Sequence, residues 1–183
     1  MTVRRYVLTG APGSGKTTMI EALRGRGATV VAEAATEVIA RGQAAGVAEP
    51  WTGAAFLSDI VRLQVSRQRE TAGDVVFFDR SPLCTLALAR YSQRPVPAVL
   101  RSAVQAMAGR YEREVFLVRE LGFVERTAAR RISYADAVRF GAIHEDVYAE
   151  HGYVLVEVPK APVAQRVELI ERVVQSSGRA AAP

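Results

Sequence analysis

Gly10, Ala11, Pro12, Gly13, Ser14, Gly15, Lys16 and Thr17 spell the pattern G-x-x-x-x-G-K-[ST]. Glycines at that spacing let a backbone curl until successive N–H groups face inward, a geometry suited to a phosphate. Lys16 adds a mobile ammonium for β- and γ-phosphates, and Thr17 adds a hydroxyl for Mg²⁺. A helix opening near Lys16 would turn the positive end of its dipole toward the same anion. The chain's own frequencies of Gly, Lys, Ser and Thr give a chance match about once in a thousand chains of this length. Among 24 cations only Lys16 and Lys160 are lysines. A chain that otherwise uses arginine keeps lysine where a compact ammonium is needed. The alternative, a Gly-rich turn that binds nothing, has no need of that lysine. Gly10 to Thr18 is therefore expected to bind the phosphates of ATP with Mg²⁺.

A second candidate is the apolar run Val75 to Phe78, which ends in Asp79 and is followed by Arg80, Ser81 and Pro82. Ligands of open α/β sheets gather at the carboxyl ends of strands. There Asp79 would hold Mg²⁺ through water or take a proton from an attacking hydroxyl, and Arg80 would face the same phosphates. Asp79 as a plain cap of the helix begun at Pro82 is the competing reading, and the two roles can coexist. Arg126, Arg130 and Arg131 follow another apolar run. They are read as a lid whose charge stabilises a transferring phosphoryl group, against the alternative of a solvated basic face. Glu33 falls just past a short apolar run, where it would bond acceptor hydroxyls or simply stand at a helix N-terminus. Trp51 beside Pro50 is read as packing under its loop and is kept as a candidate cover for a planar substrate. His144 and His151 are read as structural, and Cys84 as a small buried apolar residue.

These residues need a frame. Candidate strands at 6–9, 29–32, 75–79, 115–118 and 153–158 alternate with amphipathic segments at 16–24, 35–41, 54–70, 83–89, 98–111, 134–150 and 163–174. That alternation predicts an α/β fold with a mainly parallel sheet. Ser133 with Asp136 resembles a capping box, and Pro82 and Pro162 suit first helical turns. Residues 42–53 and 119–132 resist regular assignment and are read as functional or mobile loops. With 183 residues and 49% hydrophobic content, residues 1–175 are expected to form one domain, with a fraying tail at 176–183.

Composition narrows the function classes. No apolar stretch approaches the roughly 18–20 residues of a membrane span, so no membrane association is expected. Cys84 is the only cysteine, which rules out an intrachain disulfide and a thiolate metal cage and suits a reducing cytoplasm. The net charge is +5, but the arginines are scattered among acidic residues, which disfavours nucleic acid. Asparagine is absent, so the Asn-Lys-x-Asp pattern that reads guanine cannot occur.

The phosphate-binding run 10–18, together with residues 31–35 (VAEAA), 77–82 (FFDRSP) and 122–131 (GFVERTAARR), resembles the small bacterial AAA-type P-loop proteins. Those are related to the nicotinamide ribonucleoside kinase domain and, more distantly, to the nucleoside and nucleotide kinases. The likeness runs from Arg5 to about Val174. It implies a three-layer P-loop NTPase fold with five parallel strands in the order 2-3-1-4-5 and helices on both faces. It further implies Asp79 as base or metal partner, Arg80 near the acceptor and a lid carrying Arg130 and Arg131. It also implies an adenine resting between a lid arginine, here Arg126, and Pro159, Lys160 and Ala161. The adenylyltransferase module that accompanies the nicotinamide ribonucleoside kinase in some proteins has no counterpart here. The leading expectation is an ATP-dependent kinase acting on a nucleoside-like or other small-molecule acceptor, as a monomer or homodimer. The alternative is an ATP-hydrolysing switch that acts on a protein partner. A third is a non-catalytic nucleotide-binding module, which intact Lys16, Thr17 and Asp79 disfavour.

Overall fold

The computed structural model describes residues 3–120 and 133–180. Five strands form one parallel sheet: β1 (Arg4–Thr9), β2 (Thr29–Val31), β3 (Val75–Asp79), β4 (Glu114–Val118) and β5 (Val154–Val158), in the order β2-β3-β1-β4-β5. Parallel neighbours cannot be joined by hairpins, so helices carry every crossover. These are α1 (Lys16–Gly25), α2 (Ala34–Ala44), α3 (Phe56–Glu70), α4 (Pro82–Tyr91), α5 (Ala98–Gln105), α6 (Tyr134–Glu150) and α7 (Val163–Ala180).

Strand alternation divides the core into two layers. Tyr6, Leu8, Phe77, Phe116 and Val118 point to one face, where Met19, Ile20 and Leu23 of α1 and Val167, Ile170 and Val174 of α7 cover them. Val7, Val76, Phe78 and Val115 point to the other, under α3, α4, α5 and α6. Each such side chain contributes about 1.5–3 kcal/mol when fully buried, and β1 and β3 are apolar on both faces because both are covered.

Register sets the functional edge. Leu8 lies opposite Asp79, and Thr9 opposite Leu117. The Arg80 amide donates to the Leu8 carbonyl at 3.1 Å, carrying the pairing one residue past β3. The chain leaving β1 at Gly10 and the chain leaving β3 at Arg80 therefore emerge side by side, at the carboxyl edge of the sheet.

Helix starts follow their caps. Ser81 Oγ accepts from the Leu83 amide at 3.2 Å, with Pro82 opening α4. Ser133 Oγ accepts from the Asp136 amide at 3.1 Å and donates to its carboxylate at 2.8 Å, so the reading of that pair as a cap holds.

Three boundaries differ from the sequence reading. α5 ends at Gln105, not at Tyr111. The helix closes at its cap Ala106, and Gly109 takes φ 72° in the turn that follows, while Met107 and Tyr111 stay buried in the core. α2 runs on to Ala44, and within 50–53 a 3-10 turn (Pro50–Thr52) forms. Pro50 sits so close to α2 that a Cβ on Gly42 would lie 2.6 Å from its Cγ. α7 reaches Ala180, so residues 176–180 are helical where the sequence placed the start of the tail.

Candidate active site

Gly10 leaves β1 with φ 132°, and a Cβ there would lie 2.4 Å from the Val118 carbonyl. Only glycine lets the loop pass so close to the end of β4. Gly15 takes φ 86° at the cap of α1, whose first turn carries no side-chain cap. Those amides stay available to an anion at the positive end of the helix dipole. Thr17 and Thr18 are exposed on that first turn.

Lys16 is only 6% exposed. Its ammonium donates to the carbonyls of Gly10 at 2.9 Å and Ala11 at 2.8 Å and to Ser14 Oγ at 3.2 Å. Burial, reinforced by the Arg80 guanidinium, lowers its pKa to about 7 against the pull of Asp79 and Glu33. The ammonium is thus folded back on its own loop, where a polyphosphate would restore its charge.

Asp79 is equally buried at 6%, and its Oδ1 has no hydrogen-bond partner among the described residues. Burial raises its pKa to about 6, with Lys16 opposing and Glu33 adding to the rise. A buried carboxylate oxygen without a partner is costly unless an ion, a water or a substrate hydroxyl meets it. The cap of α4 is Ser81, so Asp79 does not serve as that cap.

Arg80 stands at φ 76°, a left-handed conformation unusual for a non-glycine residue. Such strain persists where surrounding structure enforces it. Here Nε donates to Glu33 Oε1 at 2.5 Å, and Nη1 lies 3.4 Å from both the Gly10 carbonyl and His144 Nε2. Burial alone would raise Glu33, but Arg80 and Lys16 hold it below the ordinary carboxylate range. Glu33 also accepts from Thr36 Oγ1 at 3.0 Å at the start of α2, in keeping with its reading as a residue at a helix N-terminus.

His144 is fully buried. Its Nδ1–H donates to the Phe140 carbonyl at 2.8 Å, which leaves Nε2 as the acceptor facing Arg80. Burial, with Arg80 beside it, lowers its pKa to about 3, so it stays neutral. Sequence reading assigned His144 a purely structural place. The fold puts it against Arg80, a contact across 64 positions that no local signal announces. His151 bonds the Val147 carbonyl at 2.7 Å near the end of α6, in keeping with a structural role. Cys84 is buried between Thr9 Oγ1 at 3.3 Å and the Tyr148 hydroxyl at 3.2 Å, and Tyr148 also meets Ser81 Oγ at 2.6 Å.

Asp79, Arg80 and Phe78 share a narrow cleft with Gln64 and Arg67 of α3 and with Tyr111; its volume is about 10 Å³, room for roughly one water. Arg67 is held by the Glu37 carboxylate and donates to the Ala32 and Glu33 carbonyls at 2.8 and 3.1 Å. A larger concavity of about 430 Å³ is lined by Arg62, Arg69, Glu70 and Val99. Those α3 residues lead into the amino end of β3, the opposite edge of the sheet from the phosphate loop.

Trp51 is half-buried against the core layer that contains Phe56 and Leu57, in keeping with the packing reading, and Arg94 holds its carbonyl at 2.8 Å. Pro159 and Lys160 are exposed and Ala161 half-buried just past β5, two strands from β1 on the same edge. Arg126, Arg130 and Arg131 lie outside the described residues. Among the described residues no group of three or more His, Cys, Asp or Glu side chains converges as a metal site. Mg²⁺ at this place would thus rest on few protein oxygens, and the partnerless Oδ1 of Asp79 and the exposed Thr17 are the oxygens on offer. No described helix is long and apolar enough to cross a membrane.

Known structures share this architecture. Thymidylate kinase from Ehrlichia chaffeensis superposes with a TM-score of 0.64 at 12% identity, covering 96% of this chain and 99% of that one. Deoxyadenosine kinase from M. mycoides, bound to its products, gives 0.61 at 14% identity, covering 94% and 98%. Shikimate kinase from Acinetobacter baumannii, in complex with shikimate, gives 0.61 at 15% identity, covering 96% and 95%. At such identities the likeness shows the fold, which is that of the P-loop kinases. No curated protein matches the sequence significantly. A family model described as an AAA domain matches residues 5–166, from β1 through the start of α7. With that span containing the phosphate loop, Asp79 and every strand of the sheet, the chain belongs to this AAA domain family.

Proposed function

We propose that this chain is a cytoplasmic phosphotransferase that binds Mg-ATP at Gly10–Thr18 and transfers the γ-phosphoryl group to a hydroxyl of a nucleoside-like or other small metabolite. Asp79 is the observation that carries this reading. It is buried, its Oδ1 lacks a partner, and burial raises its pKa to about 6, one strand from a loop that holds a buried lysine.

In this reading Lys16 exchanges the carbonyls of Gly10 and Ala11 for β- and γ-phosphate oxygens. Thr17 would hold Mg²⁺, joined by Asp79 through water where Asp79 is not itself the base, and the ion neutralises charge on those phosphates when bound. As the acceptor oxygen bonds to the γ-phosphorus, the bond from phosphorus to the β–γ bridging oxygen breaks and ADP leaves. Asp79 accepts the hydroxyl proton directly, or orients that hydroxyl through water, and a pKa near the working pH suits such a base. Arg80, anchored by Glu33 and His144, positions the acceptor. Arg126, Arg130 and Arg131 close over the phosphates and stabilise the equatorial charge. Pro159, Lys160 and Ala161 flank the adenine, and Trp51 is the candidate cover for a planar acceptor.

Acceptor entry requires the α2–α3 side of the narrow cleft to move, a step common in enzymes that exclude water. Arg80 and Arg67 are already engaged by Glu33 and Glu37. That favours an acceptor without a phosphate or carboxylate of its own.

The test is ADP release in the presence of a panel of nucleosides and small alcohols. Strong stimulation by one compound, with a phosphorylated product of matching mass, supports the kinase. Release that depends only on a protein partner replaces it with an ATPase switch.

A further inference from the structure

Arg166, in the first turns of α7, is 2% exposed. Its guanidinium donates to the Ser14 carbonyl at 3.0 Å from Nη1, and to the Arg119 carbonyl at 3.0 Å and the Val158 carbonyl at 3.3 Å from Nη2. Those three carbonyls belong to the phosphate loop, the chain just past β4 and the last residue of β5. We infer that Arg166 is a positioning residue of the phosphate loop, a buried cation that sets the loop's shape from behind and adds to its attraction for a polyphosphate.

Two features separate this arginine from an ordinary structural one. The first is that no carboxylate partners it among the described residues. None of its described hydrogen bonds goes to a carboxylate, its Nε has no partner among the described residues, and burial lowers its pKa with no acidic neighbour opposing. A buried charge satisfied only by carbonyl dipoles is expensive, and an anion nearby relieves that cost. The Ser14 carbonyl it grips belongs to the same loop that Lys16 folds over, so a bound polyphosphate is the anion within its field. The second is the segment it closes. Its guanidinium joins the Val158 carbonyl, the point from which residues 159–162 depart, to the Ser14 carbonyl of the phosphate loop. The phosphate loop, the chain past β4 and the end of β5 are thereby tied to one side chain.

The inference rests on Gly10–Thr18 being a polyphosphate site, and inorganic tripolyphosphate tests the two separately. Calorimetric titration of tripolyphosphate into the wild type and into Arg166→Met and Arg166→Lys reads loop affinity without adenine or acceptor. Effects of residues that act through another group amount to about threefold to thirtyfold. Arg166→Met is expected to weaken tripolyphosphate by that much and to flatten the salt dependence of binding, because one cation has left the field. Arg166→Lys keeps the charge and should lose less affinity with an unchanged salt slope. It is also the informative variant if Arg166→Met fails to fold. A looser fold with no electrostatic role would leave the salt slope unmoved in both. Tripolyphosphate binding by Arg166→Lys and any folded Arg166→Met at wild-type affinity and slope overturns the inference. Absence of binding by the wild type itself overturns instead the reading of the phosphate loop.

Discussion

Asp79→Asn should make the protein more stable and less active, with a pH dependence that identifies the cause. The native pKa of Asp79 is raised from 3.8 to about 6 by burial, a difference of about two pH units at about 1.4 kcal/mol each. Native Asp79 therefore holds a proton that the unfolded chain has already released between those two values, so ionisation weakens the fold as pH rises through that window. Above it the cost is complete at about 3 kcal/mol, whereas at pH 4 it is only about 0.5 kcal/mol. An asparagine carries none of this cost but adds a buried amide to satisfy, so the net gain at pH 7.5 is expected to be about 1–3 kcal/mol. The amide contribution is the same at both pH values and cancels in the comparison. The difference between variant and wild type should thus grow by about 2.5 kcal/mol from pH 4 to pH 7.5. Guanidinium denaturation of both proteins without nucleotide reads this directly, and ADP release reads activity. A variant whose stability relative to wild type does not change with pH, or falls as pH rises, refutes the account of Asp79. Wild-type turnover in the variant would remove Asp79 from the proposed mechanism.

Three further outcomes follow from the same geometry. In the free protein kcat/KM should fall below about pH 6 as Asp79 gains its proton and above about pH 7 as Lys16 loses its own. The alkaline limb of kcat should lie higher, because bound phosphate restores the lysine charge. Gly10→Ala should cost several-fold or more in folded yield and nucleotide affinity, since its Cβ would strike the Val118 carbonyl; normal binding and thermal stability in that variant would show that the loop has room to spare. Ser81→Ala removes the cap of α4 and the partner of the Tyr148 hydroxyl, so a loss of about 1–2 kcal/mol is expected by denaturation. An unchanged midpoint would show that the cap is dispensable.

The phosphate loop could be read from sequence because its chemistry is local: spacing, glycine and one rare lysine sit within eight positions. Asp79 could be read because an apolar run ending in a carboxylate marks a strand end, and parallel strands present that end to ligands. Glu33 and Arg80 were each recognisable as candidates, but their ion pair depends on β2 and β3 lying side by side. His144 and Arg166 gave no such signal. Their partners stand 64 and 152 positions away, and neither periodicity nor composition encodes a contact made only when α6 and α7 close on the sheet edge. The end of α5 was misplaced for a related reason. Met107 and Tyr111 continue an apolar pattern that suits a helix, yet tertiary burial satisfies them in a turn around Gly109.

The central claim is that Gly10–Thr18 forms a polyphosphate cradle whose cation is Lys16. Calorimetric titration of Mg-ATP into the wild type and into Lys16→Ala tests it most directly. The account predicts saturable one-to-one binding by the wild type and its loss in a variant that remains folded. Equal affinity in both proteins would contradict it.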